Sequence, residues 1–256
     1  RPMTPSHHLA TAHDLRERIR RVRQEPRRRA LQVLRVEAPS PHVRCITFGG
    51  DDLADFASHA FDDHVKVFVP APGGGPALAR DYTPRRFDAL RRELSIEFAL
   101  HGDGPAAAWA REAQPGAGLT IAGPRGSIIV PDDLDWYLLV GDSASLPALA
   151  RRLEELPAAA QVQAIVQMEP VDPRALPGPA RAQILWVDDA AACLSAVEAW
   201  QPPPGAGFVW CAGEAGLQSE LRRVLVDVKG VDRHAVRAAA YWKRGAPGHH
   251  ERLDGT

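Results

Sequence analysis

From Leu31 onward the chain is written in short runs where apolar and polar residues alternate. On an extended strand successive side chains point to opposite faces, so such alternation marks half-buried strands. It predicts strands over 31–37, 43–48, 64–69, 79–83, 94–100 and 119–122. Clusters of Pro, Gly and Asp separate these runs, the spacing of an antiparallel sheet or barrel. One helix interrupts them over 106–112, with Pro105 at the first helical position and Gly116 beyond its end. After about residue 131 the rhythm changes. Apolar strands over 136–140, 162–168, 184–187, 208–211 and 236–241 alternate with helices over 146–156, 191–200 and 217–228. That alternation predicts a parallel α/β sheet. The first 30 residues are polar and Arg-rich, with a short helix over 14–22 that Pro26 limits. The expected organisation is an N-terminal arm with little core over 1–30, an antiparallel Greek-key β-barrel over 31–131, and a Rossmann-like parallel α/β domain over 132–256.

Composition narrows the function classes. The chain has 256 residues, 45% hydrophobic and 25% charged, with a net charge of −1. No global field draws it to nucleic acid or to a membrane surface. No apolar run approaches the ~20 residues that span a bilayer, and no secretory h-region opens the chain. Cys45, Cys193 and Cys211 are far apart, odd in number and form no CxxC pair. A reducing cytoplasm is the expected location. His7-His8 and His249-His250 sit in polar ends, and no metal site is expected there. GxSxG, HExxH, Walker lysine and EF-hand patterns are all missing, so no catalytic side chain of those classes is expected.

The chemistry-bearing positions cluster in a few places. Arg80-Asp81-Tyr82-Thr83-Pro84-Arg85 lies on a predicted strand, where Arg80 and Tyr82 share a face. Arg can fork onto a pyrophosphate, Tyr can lie on a planar ring, and Thr83 can reach a ring heteroatom. The set suits a flavin dinucleotide; it also suits an ordinary amphipathic strand leading into a Pro turn. His101-Gly102-Asp103-Gly104-Pro105-Ala106-Ala107-Ala108-Trp109 opens a helix with small residues. Free N–H groups and the helix dipole there favour a phosphate, while Trp109 facing the core is the plainer reading. Gly123-Pro124-Arg125-Gly126-Ser127 is a tight turn presenting a cation. Gly141-Asp142-Ser143-Ala144-Ser145 and Ala212-Gly213-Glu214 stand at strand-to-helix junctions, where α/β sheets bind nucleotides. Ser145 also suits an N-cap and Glu214 a dipole partner. Tyr241-Trp242-Lys243-Arg244 closes the last strand, and Lys66 begins a barrel strand.

Taken in order, DDHVKVFVP (62–70), RDYTPR (80–85), HGDGPAAAWA (101–110), GPRGS (123–127), GDSASLPA (141–148), WCAGE (210–214) and YWKRG (241–245) resemble the siderophore-interacting proteins. This is a family of ferric-siderophore reductases within the ferredoxin–NADP reductase superfamily. The resemblance implies FAD on the barrel, held by Arg80, Tyr82, Thr83, His101, Gly104, Pro105, Ala106, Ala107 and Trp109. It implies NADH or NADPH over Asp142, Ser143, Ala144, Ser145, Ala212, Gly213, Glu214 and Trp242. Lys66, Arg125 and Lys243 or Arg244 would receive an anionic ferric siderophore. Electrons would come from NAD(P)H or another donor such as ferredoxin, with catalysis mediated by the flavin. Two departures stand out. The family commonly reads GDETALPA where this chain has Ser143 and Ala144, and Ser at the position of Ala107. A general NAD(P)H–flavin or ferredoxin reductase, and a non-catalytic flavin- or chelate-binding protein, are the alternatives.

Overall fold

The computed structural model describes residues 12–100, 104–168, 176, 178, 182–246 and 251–252. The alternating runs become strands β2 (Arg28–Ser40), β3 (Val43–Gly49), β4 (Val65–Val69), β5 (Leu78–Tyr82), β6 (Arg86–Asp88), β7 (Glu93–Ala99) and β8 (Gly118–Ala122), after a short β1 (Arg20–Arg23). Strands β2 to β8 form one antiparallel sheet in the order β5-β4-β8-β2-β3-β7-β6. The period-two pattern is realised directly: Val65, Val67 and Val69 on β4 and Leu94, Ile96 and Phe98 on β7 are all fully buried. Although β5 and β7 stand near opposite ends of this order, Tyr82 and Phe98 meet with ring centroids 4.5 Å apart. The sheet has therefore rolled up on its apolar face. Helix α2 (Pro105–Glu112) packs Ala106 and Ala110 against the enclosed core.

Strand β9 (Gly126–Ile129) leads into the second layer system. It comprises β10 (Trp136–Asp142), β11 (Gln161–Gln167), β12 (Ala182–Val187), β13 (Gly207–Glu214), β14 (Val236–Trp242) and β15 (Glu251–Arg252), with helices α3 (Leu146–Glu155), α4 (Ala190–Ala199) and α5 (Ala215–Arg223). The strand order is β12-β11-β10-β13-β14-β15, parallel except for β15. Every residue of β10 is buried, as expected of a central strand with both faces covered. The chain proceeds from β10 to β11 and β12 on one side and returns to β13 on the other. The order therefore reverses between β10 and β13, and a crevice opens beyond their carboxyl ends.

The N-terminal segment differs from the expected arm with little core. The helix α1 (Ala12–Arg18) stops before β1, which pairs antiparallel with β9, Arg23 opposite Gly126. Leu15 is 3% exposed and belongs to the α/β core. A surface rich in arginine conceals one buried leucine and a backbone ladder that needs no apolar side chain. The helix expected over 217–228 also changes character, since α5 ends at Arg223 and a π-helical turn completes it over Val224–Val228.

Candidate functional site

On the barrel, β5 presents Arg80 opposite Val67 and Tyr82 opposite Val65 of β4. Among the described residues the Arg80 guanidinium makes one hydrogen bond, donating from Nη1 to the Ala79 carbonyl at 2.8 Å. Most of its five donors are left for a ligand. Burial pushes the Tyr82 phenol up to about 12, so it stays neutral. Thr83 is buried. Helix α2 starts after Gly104 with Pro105 in its first turn and, among the described residues, no side-chain cap, so N–H groups of its first turn lack a partner there. Ala106 and Ala107 are buried beneath that turn, and Trp109 stacks on Phe48 at 6.2 Å and 15°. Trp109 thus serves the barrel core, while His101 lies outside the described residues. A guanidinium with spare donors, a neutral phenol and an uncapped helix start fit a flavin dinucleotide.

The second half of the site is the crevice between β10 and β13. Asp142, at the end of β10, is 5% exposed. Its Oδ1 accepts from the backbone N–H groups of Ala144 at 3.0 Å and Ser145 at 3.2 Å, and its Oδ2 accepts from Trp242 Nε1 at 2.7 Å. Its own N–H donates to Ser145 Oγ at 2.8 Å. Burial raises the Asp142 pKa above the usual carboxylate range, and these donors oppose the rise. Glycine is required on both flanks. A Cβ on Gly141 would lie 2.4 Å from Ser145 Oγ, and one on Gly213 2.5 Å from Asp142 Oδ2. Three motifs far apart in sequence therefore meet around one carboxylate. Glu214 caps α5, accepting from Gly216 N at 2.7 Å and Leu217 N at 3.1 Å. Burial disfavours its anion, but the Leu217, Arg244 and Gly216 N–H groups hold its pKa below the usual value. Ala212 is fully buried, so its side chain belongs to the core. Ser143 and Ala144 lie in the turn that Asp142 gathers.

Sequence reasoning missed Gln218. It is 1% exposed, its Nε2 lies 2.9 Å from where a Gly213 Cβ would sit, and its Oε1 is an acceptor with no partner among the described residues. A polar residue in the first turns of α5 was the available signal. Equally hidden was the bonding between the two sheets. Arg85 joins Glu154 of α3 at 2.6 and 2.7 Å, Arg151 of the same helix donates to the Pro84 carbonyl at 2.9 Å, and Arg237 of β14 meets Asp62 at 2.7 Å.

The four basic residues expected to receive substrate have distinct settings. Lys66 is half-exposed and donates to both oxygens of Asp81, at 2.9 and 3.0 Å. Arg125 is exposed on the turn after β8, beside the start of β4: a Cβ on Gly123 would be 3.6 Å from the His64 carbonyl. Lys243 and Arg244 are exposed just beyond Trp242. The three thiols are buried. Burial pushes Cys45 to about 11 and Cys193 to about 12, and Cys211 is fully buried.

The model of the siderophore-interacting protein family matches residues 134–245, and that of the siderophore-interacting FAD-binding domain matches 32–78 and 72–128. The chain is 40% identical to the NADPH-dependent ferric-chelate reductase of Escherichia coli over 87% of its own length and 95% of the relative's. It is 29% identical to the ferric vibriobactin reductase ViuB of Vibrio cholerae, covering 85% and 90% of the two chains. The structure of a siderophore utilization protein from T. fusca superposes with a TM-score of 0.83 at 34% identity, covering 90% and 98%. A ferredoxin reductase of carbazole 1,9a-dioxygenase shares the fold at a TM-score of 0.62 and 16% identity, covering 82% of this chain and 66% of that one. These matches span both sheets and every described motif, and the chain belongs to the siderophore-interacting protein family.

Proposed function

We propose that this protein reduces ferric siderophores in the cytoplasm, taking electrons from NADPH with FAD as its resident cofactor. Bound FAD would supply the exchange between two-electron and one-electron chemistry. The residues bind and orient. Arg80 and the start of α2 hold the pyrophosphate, and Tyr82 and Thr83 hold the ring. The Asp142 turn, Gly213, Glu214, Gln218 and Trp242 shape the nicotinamide crevice. Lys66, Arg125, Lys243 and Arg244 attract the anionic chelate. Reduction lowers the charge and hardness of the iron, so hard oxygen donors release it. No side-chain acid, base or nucleophile is needed.

The observation that supports this most directly is the bonding of the RDYTPR segment to α3. Arg85 and Pro84 are held by Glu154 and Arg151, on the helix that starts at the Asp142 turn. The two half-sites are thereby fixed relative to each other. The E. coli relative favours NADPH as donor; NADH and ferredoxin are the other donors to compare. Among the described residues no helix is long and apolar enough to cross a membrane.

The test is anaerobic spectroscopy of the FAD-loaded protein. Flavin bands should bleach with NADPH and return when a ferric chelate is added, as ferrous iron forms. Lys66→Ala with Arg125→Ala should slow the return more than the bleaching. Equal slowing of both refutes the division of labour. The Lys66–Asp81 pair favours one second reading, a general flavin reductase, because it offsets one of the cations. That reading requires equal rates with neutral and anionic acceptors.

A further inference from the structure

The loop that leads into β4 holds two adjacent buried acids, Asp62 and Asp63. Asp62 accepts from Arg237 Nε of β14 at 2.7 Å. Asp63, 2% exposed, serves the GPRGS turn instead. Among the described residues its Oδ2 accepts from Ser127 Oγ at 2.7 Å, Ser58 Oγ at 3.0 Å and the Ala60 N–H at 3.1 Å. Ser127 is buried too, and its Oγ accepts from the His59 N–H at 3.4 Å. Ser58 Oγ in turn accepts from Arg151 Nη1 of α3 at 2.8 Å. A buried carboxylate satisfied in this way specifies one arrangement of the segments around it.

Ser127 stands two residues after Arg125, so its side chain anchors the turn that carries that cation. The rest of the turn is held through its backbone. The Gln24 N–H donates to the Arg125 carbonyl at 2.8 Å, and a Cβ on Gly126 would lie 2.5 Å from the Val22 carbonyl oxygen. The start of the turn rests on the chain entering β4: a Cβ on Gly123 would be 3.6 Å from the His64 carbonyl oxygen and 3.9 Å from Val65 Cα. The Arg125 side chain itself is exposed. One buried carboxylate thus ties a fixed turn, with a free-standing guanidinium at its tip, to the segment that continues into Lys66.

We propose that Asp63 is a positioning residue for chelate reduction: through Ser127 it moors the turn of Arg125 to the start of β4 and so sets how tightly the chelate is received, without touching it. This rests on the ferric-chelate reading above, in which Arg125 meets the chelate. A guanidinium that receives a discrete anion works best when its backbone is held before the anion arrives, because the ordering is then complete in advance.

The test is a double-mutant cycle through Arg125. It is read as KM for the anionic chelate iron(III)–EDTA in the FAD-loaded full chain, with flavin bleaching by NADPH as the internal reference. Ser127→Ala should raise that KM roughly three- to tenfold and leave bleaching and FAD content unchanged. In an Arg125→Ala background the same substitution should change KM by less than about twofold, because its effect passes through Arg125. Asp63→Asn keeps an acceptor oxygen for the donors and should stay within about twofold of wild type. Asp63→Ala should follow Ser127→Ala, and Ser127→Ala carries the test whether or not Asp63→Ala folds. An undiminished Ser127→Ala effect without Arg125, or equal slowing of bleaching, overturns the positioning role. A lower KM in Asp63→Asn makes the carboxylate a counter-charge to the cations and overturns it as well. If Arg125→Ala raises KM and Ser127→Ala does not, the positioning role fails and the ferric-chelate reading stands. If Arg125→Ala leaves KM unchanged, the assignment of Arg125 to the chelate fails and the positioning role falls with it.

Discussion

Arg85 and Glu154 form a two-pronged ion pair between the rolled sheet and the α/β sheet, Nη1 to Oε2 at 2.6 Å and Nη2 to Oε1 at 2.7 Å. Arg85 is almost wholly buried, Arg86 adds a third contact at 2.5 Å, and Glu97 approaches Arg85 at 3.3 Å. Although burial opposes the anion, the two arginines bring the Glu154 pKa down to about 2. Glu154→Ala should destabilise the protein by about 1–3 kcal/mol, less than breaking an isolated buried pair because Glu97 remains. The depressed carboxylate contributes stability that is fully present above its unfolded pKa. That contribution fades as pH falls toward about 2. The melting-temperature gap between wild type and Glu154→Gln should be largest near neutral pH and close on acidification. A gap that widens in acid would contradict the assignment.

Removing Arg80 should release FAD. A charge-assisted contact to pyrophosphate contributes about 1.5–3 kcal/mol, so Arg80→Ala should weaken FAD binding roughly tenfold to a hundredfold. Flavin fluorescence on dilution measures it. Tyr82→Phe should retain flavin within a few-fold, because the wild-type phenol is neutral and a ring is what the site needs. Tyr82→Ala should not.

Asp142→Asn should act on the nicotinamide half alone. One amide oxygen can accept from the turn or from Trp242, and its NH2 then faces the other donor. The expected cost is about 1–2 kcal/mol, seen as a roughly tenfold rise in KM for NADPH. FAD content should not change. Trp242 emission should shift as the indole loses its charged partner.

Asp81→Asn should free Lys66 from its cross-strand partner. KM for an anionic chelate should fall about two- to threefold at low salt, and the gain should vanish at high salt. An unchanged KM would place Lys66 outside the substrate path.

What the sequence disclosed depended on how far each signal reached. The alternation of Val65, Val67 and Val69 is local, and the strand could be read from it directly. The crevice was readable because Gly141 and Gly213 each close a strand next to a helix start. The Asp142–Trp242 bond spans 100 residues, and the Arg85–Glu154 pair 69. Asp142, Trp242 and Arg85 stood in motifs singled out from the sequence, but no local signal showed which residues they meet, and Glu154 looked like an ordinary polar position on a helix. Strand β1, written RRVR, carries no apolar stripe; backbone pairing and the absent Cβ of Gly126 explain it, and neither leaves a hydropathy trace. Leu15 and Ile19 were sparse apolar positions in an Arg-rich segment, and nothing local showed that the α/β sheet, far along the chain, would cover them.

The docking of Leu15 bears on the order in which the molecule assembles. Leu15 belongs to the same core as Val231, Ala235 and Val236, and α1 packs against the turn at Arg233–Ala235. On the ribosome, β2 to β8 can close as soon as residue 122 has emerged, since all their partners lie within that stretch. Helix α1 precedes these strands in the chain yet must wait for a binding surface that is synthesised more than two hundred residues after it. A fusion partner or short tag on the N-terminus would therefore burden the last step of maturation rather than the first, and its damage would fall on the nicotinamide half.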